Sequence, residues 1–113
     1  MNGADIEPLG EGRFLVTGVL DATTVGPVLK RSALLFTDSP TLQIDLTGVT
    51  ESDSSGLALL IEWLRLAKQN RQQIGFHNMP RQIDALARIS EVEELFHGNG
   101  SKIAPQPASV ATA

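Results

Sequence analysis

Hydrophobic and polar residues alternate along three short segments of the chain, which predicts three main β-strands. The alternation covers Arg13–Leu20, Thr41–Leu46 and Gln73–Phe76. A weaker apolar segment lies at Ile6–Leu9, where Pro8 removes a backbone donor and so favours the edge of a sheet. The pattern therefore predicts a four-stranded sheet with a weak first strand.

Between these strands, apolar residues recur at every third or fourth position, which is the spacing of amphipathic helices. The predicted helices run from about 24 to 37, from Ser54 to Asn70 and from Arg81 to Ile89, with a further helical turn or two at Glu91–Phe96. The element order is β-β-α-β-α-β-α followed by this short turn. Strands that alternate with helices in this way predict an α/β domain with helices packed on a mixed sheet.

The length and composition are those of one small domain. The 113 residues are 42% hydrophobic but only 4% aromatic, so the core must consist mostly of aliphatic side chains. We expect an N-terminal segment with a candidate edge strand at 1–12, the folded domain at 13–97 and a flexible tail at 98–113. The sequence has no signal-peptide pattern, and its apolar runs are shorter than the roughly 20 residues of a membrane helix. We therefore expect a soluble, cytoplasmic protein.

Charge and residue content argue against several functions. A net charge of −4 and a pI near 5.0, without a basic patch, argue against nucleic-acid binding. The absence of cysteine excludes disulfides and thiolate metal sites. Neither His77 nor His97 stands at a distance along the sequence from a serine that would indicate a catalytic base and its nucleophile. The glutamates at 91–94 have no histidine beside them that would indicate a metal site. We expect no enzymatic activity, metal or cofactor.

The segment that carries most information is a polar stretch between the second main strand and the second helix. We predict a turn at 47–53, which places Asp53, Ser54, Ser55 and Gly56 at the helix N-terminus. There a carboxylate can cap free N–H groups, and the helix dipole stabilises an anion such as a phosphate on serine. Glycine in a first helical turn lowers helix stability, which indicates a close approach at this position. The stretch is a candidate phosphorylation or partner-binding loop; a hydrolase using Ser55 is a minor alternative that lacks a visible base.

The second helix carries two apolar stripes. One stripe is predicted to pack on the sheet and contains Leu57, Leu60, Ile61, Leu64 and Ala67. The other stripe contains Leu59, Trp63 and Leu66. Because aromatic residues are enriched at interface cores, we interpret this second stripe as a docking face beside the serine loop. The alternative is that Trp63 packs against a neighbouring helix.

These residues resemble the STAS family, the sulfate transporter and anti-sigma-factor antagonist domains. Ile44–Val49 resembles the central strand and turn of the family, and Asp53–Leu57 resembles its signature loop, D-[ST]-[ST]-G-L. The resemblance extends over about Arg13–Phe96. It implies a single STAS domain of the α/β class, with a mixed four-stranded sheet and helices packed mainly on one side.

Two branches of the family imply different functions. In anti-sigma-factor antagonists, a partner kinase phosphorylates the serine before the signature glycine, here Ser55, with Ser54 as the neighbouring hydroxyl. The other branch is that of the MlaB-type subunit of the Mla phospholipid-transport complex, in which the STAS subunit binds the cytoplasmic ABC ATPase. In that branch the residue associated with function is the hydroxyl residue after the aspartate, which corresponds to Ser54 here. The segments 56–61, 66–70 and 80–95 resemble the Mla branch more closely. The resemblance thus implies an adaptor that reaches the inner membrane only through its complex and helps to maintain outer-membrane lipid asymmetry, with the antagonist as the alternative.

Overall fold

The computed structural model describes residues 3–96, which form one mixed sheet and three helices. The elements in chain order are β1 (Ala4–Gly10), β2 (Arg13–Leu20), α1 (Val25–Leu35), β3 (Thr41–Ser52), α2 (Ser54–Gln69), β4 (Gln73–His77) and α3 (Arg81–Ile89). The strands lie in the order β1-β2-β3-β4, with β1 antiparallel to β2 and the other pairs parallel. The predicted fold class and element order are confirmed.

The helices cover one face of the sheet. Both parallel crossovers, β2-α1-β3 and β3-α2-β4, step across the sheet in the same direction. Because such crossovers are right-handed, they place α1 and α2 on the same side. Side chains on that side, such as Val16, Ile44 and Leu46, are at most 1% exposed, whereas their neighbours Leu15 and Asp45 are only half-buried on the other face. The alternation in the sequence therefore reflects the two faces of the sheet: apolar side chains lie on the face that the helices cover, and more polar side chains lie on the open face.

A chain of aromatic rings runs through the core between the sheet and the helices. Its successive ring centroids are 4.9, 5.7, 6.5 and 5.6 Å apart, from Phe14 through Phe36, Trp63 and Phe76 to Phe96. These rings belong to β2, the end of α1, α2, β4 and the last described residue. The few aromatic residues of this sequence thus connect two strands and two helices of the fold with the end of the described chain.

The turn predicted at 47–53 is wrong, because β3 continues through Ser52. Gly48, Val49 and Ser52 pair with residues of β2, with register shifts on the way. A Cβ atom at Gly48 would lie only 2.7 Å from the backbone oxygen of Val16, so glycine lets the two strands approach here. Read from the sequence alone, these small polar residues indicate a turn, but in the structure they pair irregularly with β2.

The N-terminal segment forms a full edge strand, longer than the predicted one. Ile6 is completely buried, and the backbone oxygen of Ile6 accepts a hydrogen bond of 3.0 Å from Arg31 Nε of α1. Arg31 also lies 3.1 Å from a carboxylate oxygen of Asp5. A side chain therefore occupies part of the edge at which another strand could otherwise pair.

The end of the described chain agrees in part with the sequence pattern. The predicted helical turn at 91–96 is reduced to a short helical turn at 94–96, which carries the buried ring of Phe96. His97 and the tail predicted at 98–113 lie outside the described residues. Within residues 3–96, no helix has the length and apolar character needed to cross a membrane.

Candidate functional site

The candidate loop lies where β3 ends and α2 begins, and its backbone is fixed by Asp53. Asp53 has an extended conformation, and its carboxylate oxygen Oδ1 accepts a hydrogen bond of 2.7 Å from the N–H of Ser55. The N–H of Asp53 donates to the backbone oxygen of Leu20 at 3.2 Å. Asp53 therefore caps α2 and also ties the start of the helix to the end of β2.

The two serines occupy the first two positions of α2. Ser54 is exposed and Ser55 is half-buried. Neither hydroxyl makes a hydrogen bond with another residue of the described chain. Both hydroxyls can therefore engage a partner group, because no bond within residues 3–96 has to be broken first.

Gly56 lies at a close approach within the fold. It is buried, and a Cβ atom there would overlap Ser52 Oγ and lie 3.2 Å from the Cβ atom of Leu20. Ser52 Oγ occupies this space and donates a hydrogen bond of 3.1 Å to the backbone oxygen of Asp53. The low helix propensity of Gly56 is thus offset by the packing of α2 directly against the ends of β2 and β3.

A residue of α3 also takes part in the loop, and sequence reasoning missed it. The N–H of Ser52 donates to Gln82 Oε1 at 3.1 Å. Gln82 lies on the exposed side of α3, 30 residues further along the chain, and a lone glutamine in an amphipathic helix carries no signal of such a contact. The pairing becomes visible only when α3 is placed beside the end of β3.

The structure contradicts the exposed docking stripe predicted on α2. Leu59 is 3% exposed and Trp63 is 1% exposed, while Leu66 is half-buried. Trp63 Nε1 donates to Ser32 Oγ of α1 at 2.8 Å, which is the alternative packing against a neighbouring helix. Because α2 lies between α1 and α3 and also on the sheet, three sides of the helix are covered. Leu59 and Trp63 therefore pack within the fold and do not belong to an exposed surface.

The outward side of α2 is polar and continues from the loop. Ala58 and Arg65 are exposed, and Glu62 is half-buried between them. Arg65 donates two hydrogen bonds to the carboxylate of Glu62, at 3.0 and 2.6 Å, and these bonds hold the pKa of Glu62 below its usual value. We call Ser54, Ser55, Ala58, Glu62 and Arg65 the outer surface of α2.

Three carboxylates lie close to the loop, two of them along the chain. Asp21 follows Leu20, whose oxygen binds the loop, and Glu51 and Asp53 lie on either side of Ser52. Hydrogen bonds from Thr23 hold the pKa of the Asp21 carboxyl below its usual value, so this group stays ionised at neutral pH. The loop therefore presents hydroxyl groups among negative charges, which favours a contact with cationic side chains.

Among residues 3–96, no histidine is hydrogen-bonded to Ser54 or Ser55. His77 lies at the end of β4, where its Nε2 atom contacts Gln43 Oε1, and no hydrogen bond joins it to Ser54 or Ser55 within the described chain. Residues 3–96 contain no group of three or more histidine, aspartate or glutamate side chains that could hold a metal ion.

Comparisons with known proteins agree with this fold. A family model described as "Mlab, STAS domain" matches residues 8–97. A solved structure, titled as the anti-sigma factor antagonist SpoIIAA in its unphosphorylated form, matches with a TM-score of 0.62 and 18% identity. That match covers 80% of this chain and 83% of the other. The search of curated protein sequences found no match.

Proposed function

The chain belongs to the MlaB family of STAS domains, and we propose on this premise that it is a non-enzymatic adaptor that binds the cytoplasmic ABC ATPase of a phospholipid transporter. In this role it supports the assembly and activity of the ATPase, and the transporter maintains the lipid asymmetry of the outer membrane. The protein is cytoplasmic and meets the inner membrane only through its complex. The observation that carries the proposal is the pair of unbonded hydroxyls, Ser54 and Ser55, on the capped start of α2.

The contact surface consists of the loop and the outer surface of α2. Asp53 and Gly56 give the loop its shape, Ser54 and Ser55 contact the partner, and Leu66 contributes at the margin, where it is half-buried. Leu59 and Trp63 act only indirectly, because they hold α2 on the core. A preformed surface of this kind loses little conformational entropy on binding, which favours affinity.

Arginine substitutions in the loop test this proposal. Ser54→Arg and Ser55→Arg each place a long cationic side chain where the partner's own cations are expected to lie. We expect each variant to weaken binding to the purified Mla-type ATPase subunit by at least about tenfold, which corresponds to about 1.4 kcal/mol. The reconstituted complex should lose ATPase activity in parallel. Binding is measured by titration calorimetry and activity by phosphate release.

The matched control is Gln69→Arg, which adds the same side chain at the exposed C-terminal end of α2. This variant should bind and support the ATPase as the unmodified chain does. Full activity of the ATPase in the presence of a Ser54→Arg chain that no longer binds it would disprove the adaptor role.

The second candidate function is an anti-sigma-factor antagonist that is regulated by phosphorylation of Ser55, with Ser54 as the other acceptor. The observation that favours it is the presence of two unbonded hydroxyls where the helix dipole is positive. A phosphate there would add nearly two negative charges and steric bulk beside Asp53, and in this function it would release a partner that fits the unmodified serines. Intact-mass measurement of protein isolated from its own cells, with Ser55→Ala as the control, distinguishes this function by one added phosphate.

A further inference from the structure

The root of the serine loop lies on a part of β3 that has no strand partner on one side. Pairing between β3 and β4 ends at Asp45 and His77, whereas β3 continues to Ser52. Backbone donors at such an overhang still need acceptors, since an unpaired donor destabilises the fold when it is shielded from water.

Side chains take the place of the missing strand. The carboxylate of Asp45 accepts from the N–H of Thr47 at 2.9 Å and from Asn78 Nδ2 at 3.0 Å. At the other end of the overhang, Gln82 Oε1 accepts from the N–H of Ser52 at 3.1 Å. The connection from β4 to α3 and the first turn of α3 are thus attached to β3 at two points. The second point is at the residue directly before Asp53.

From Ser52 the contacts continue to the serines. Ser52 Oγ donates to the backbone oxygen of Asp53, and the carboxylate of Asp53 accepts from the N–H of Ser55. Because Gly56 has no Cβ atom, Ser52 keeps this position. A rotation of the Ser52 peptide would therefore change the orientation of Asp53, and with it the direction in which Ser54 and Ser55 point.

We infer that Gln82 is a positioning residue, which holds the N–H of Ser52 and so orients Ser54 and Ser55 for partner binding. The inference rests on the proposed function for its binding part only. Gln82 itself is exposed on α3 and lies outside the core. The effect of removing its oxygen should therefore be local, with little change in overall stability.

The test compares Gln82→Met, which keeps the length of the side chain but removes the acceptor, with Gln82→Glu, which keeps an acceptor oxygen. The first measurement is amide hydrogen exchange of the isolated chain by NMR. We expect Gln82→Met to accelerate exchange at Ser52 by about tenfold, because a protecting hydrogen bond is lost. Gln82→Glu should restore protection. The matched control is Gln69→Met, which makes the same substitution at an exposed site of α2.

The second measurement is the affinity of the same variants for the purified Mla-type ATPase subunit. Gln82→Met should bind roughly three- to tenfold more weakly, while Gln82→Glu and Gln69→Met should bind as the unmodified chain does. The unfolding midpoint in urea should be the same in all four proteins.

Three results would overturn the inference. One is unchanged exchange at Ser52 in Gln82→Met, and another is faster exchange there with unchanged affinity. The third is faster exchange throughout β3 with a lower unfolding midpoint, which would make Gln82 a stabilising residue. If the unmodified chain fails to bind the ATPase, the proposed function is wrong, whereas local loss of protection at Ser52 would still support the role of Gln82 in holding the loop.

Discussion

At the scale of single residues, the most informative contact is a polar pair in the core. Trp63 and Ser32 are each 1% exposed, and the indole N–H donates to the serine hydroxyl, which in turn donates to the backbone oxygen of Leu29. A buried tryptophan usually needs an acceptor for its N–H group. The sequence does not reveal that acceptor, because Ser32 lies 31 residues away on another helix. The sequence alone therefore favours an interface role for an aromatic residue on a second apolar stripe.

Ser32→Ala should destabilise the protein by about 1–3 kcal/mol, because it leaves the Trp63 N–H buried without its acceptor. Urea unfolding followed by the fluorescence of Trp63, the sole tryptophan in the sequence, measures the free energy of unfolding.

Ser90→Ala is the control for this substitution, since Ser90 is exposed after α3, and it should change stability by less than about 0.5 kcal/mol. If the Ser32→Ala and Ser90→Ala variants had the same free energy of unfolding, the buried hydrogen bond between Trp63 and Ser32 would contribute nothing to stability.

At the scale of elements, the sequence predicts best where the periodic pattern and the end signals agree. α3 has the bounds that were predicted, and α2 differs by one residue at its end. The error in β3 arises where small polar residues pair with β2 in an irregular register. The error in the α2 stripes arises because the helix is covered on three sides, and the number of neighbours that a helix will have cannot be read from its own periodicity.

Asp53→Ala should weaken the start of α2 and lower the free energy of unfolding by about 0.5–2 kcal/mol, the usual range for removing an N-cap. The carboxylate of Asp53 binds the N–H of Ser55, and alanine offers no acceptor. Asp53→Asn keeps an oxygen in the same place and should retain most of the stability. Urea unfolding followed by circular dichroism at a helix-sensitive wavelength measures both variants.

Glu51→Ala provides the comparison for Asp53→Ala, because it removes an exposed carboxylate one residue before Ser52 without removing a cap. If Asp53→Ala and Glu51→Ala destabilise equally, net charge near the loop matters and the cap does not. If Asp53→Asn is as unstable as Asp53→Ala, the negative charge beside the helix dipole is the larger contribution.

At the scale of the whole molecule, the order of elements and the crossover rule determine most of the architecture, and both can be read from the sequence. The position of the serine loop follows from them, since a loop between β3 and α2 must lie where parallel strands end. The contacts that shape it do not follow. Gln82 reaches Ser52, and Arg31 reaches the edge of β1, only because distant segments are adjacent in the folded chain. The family signature in the sequence locates the loop, whereas the contacts that hold the loop in place appear only in the tertiary structure.

The charge distribution predicts how the whole molecule responds to acid. Hydrogen bonds hold the pKa of Asp45 below its usual value, chiefly the bond from Asn78 and then that from Thr47, and the pKa values of Asp21 and Glu62 are lowered in the same way. A carboxyl group whose pKa is lower in the folded state stabilises the fold above its unfolded pKa, and this contribution is lost as pH falls through the folded pKa. Since the reference values are 3.8 for aspartate and 4.5 for glutamate, stability should be steady from pH 7 to about pH 5 and fall below about pH 4.

Asp45→Asn isolates the part of this acid sensitivity that belongs to the overhang of β3. Asparagine keeps an oxygen for Asn78 and Thr47 but cannot be protonated in this range, so the decrease in unfolding midpoint between pH 5 and pH 3 should be smaller than in the unmodified chain. Asp38→Asn removes an exposed carboxylate that makes no hydrogen bond within the described chain, and it should leave that decrease unchanged. Urea unfolding at a series of pH values measures the slope of the unfolding midpoint against pH. Equal slopes in all three proteins would mean that the bonds of Asp45 do not favour its ionised form, and that acid acts on the fold through other carboxylates.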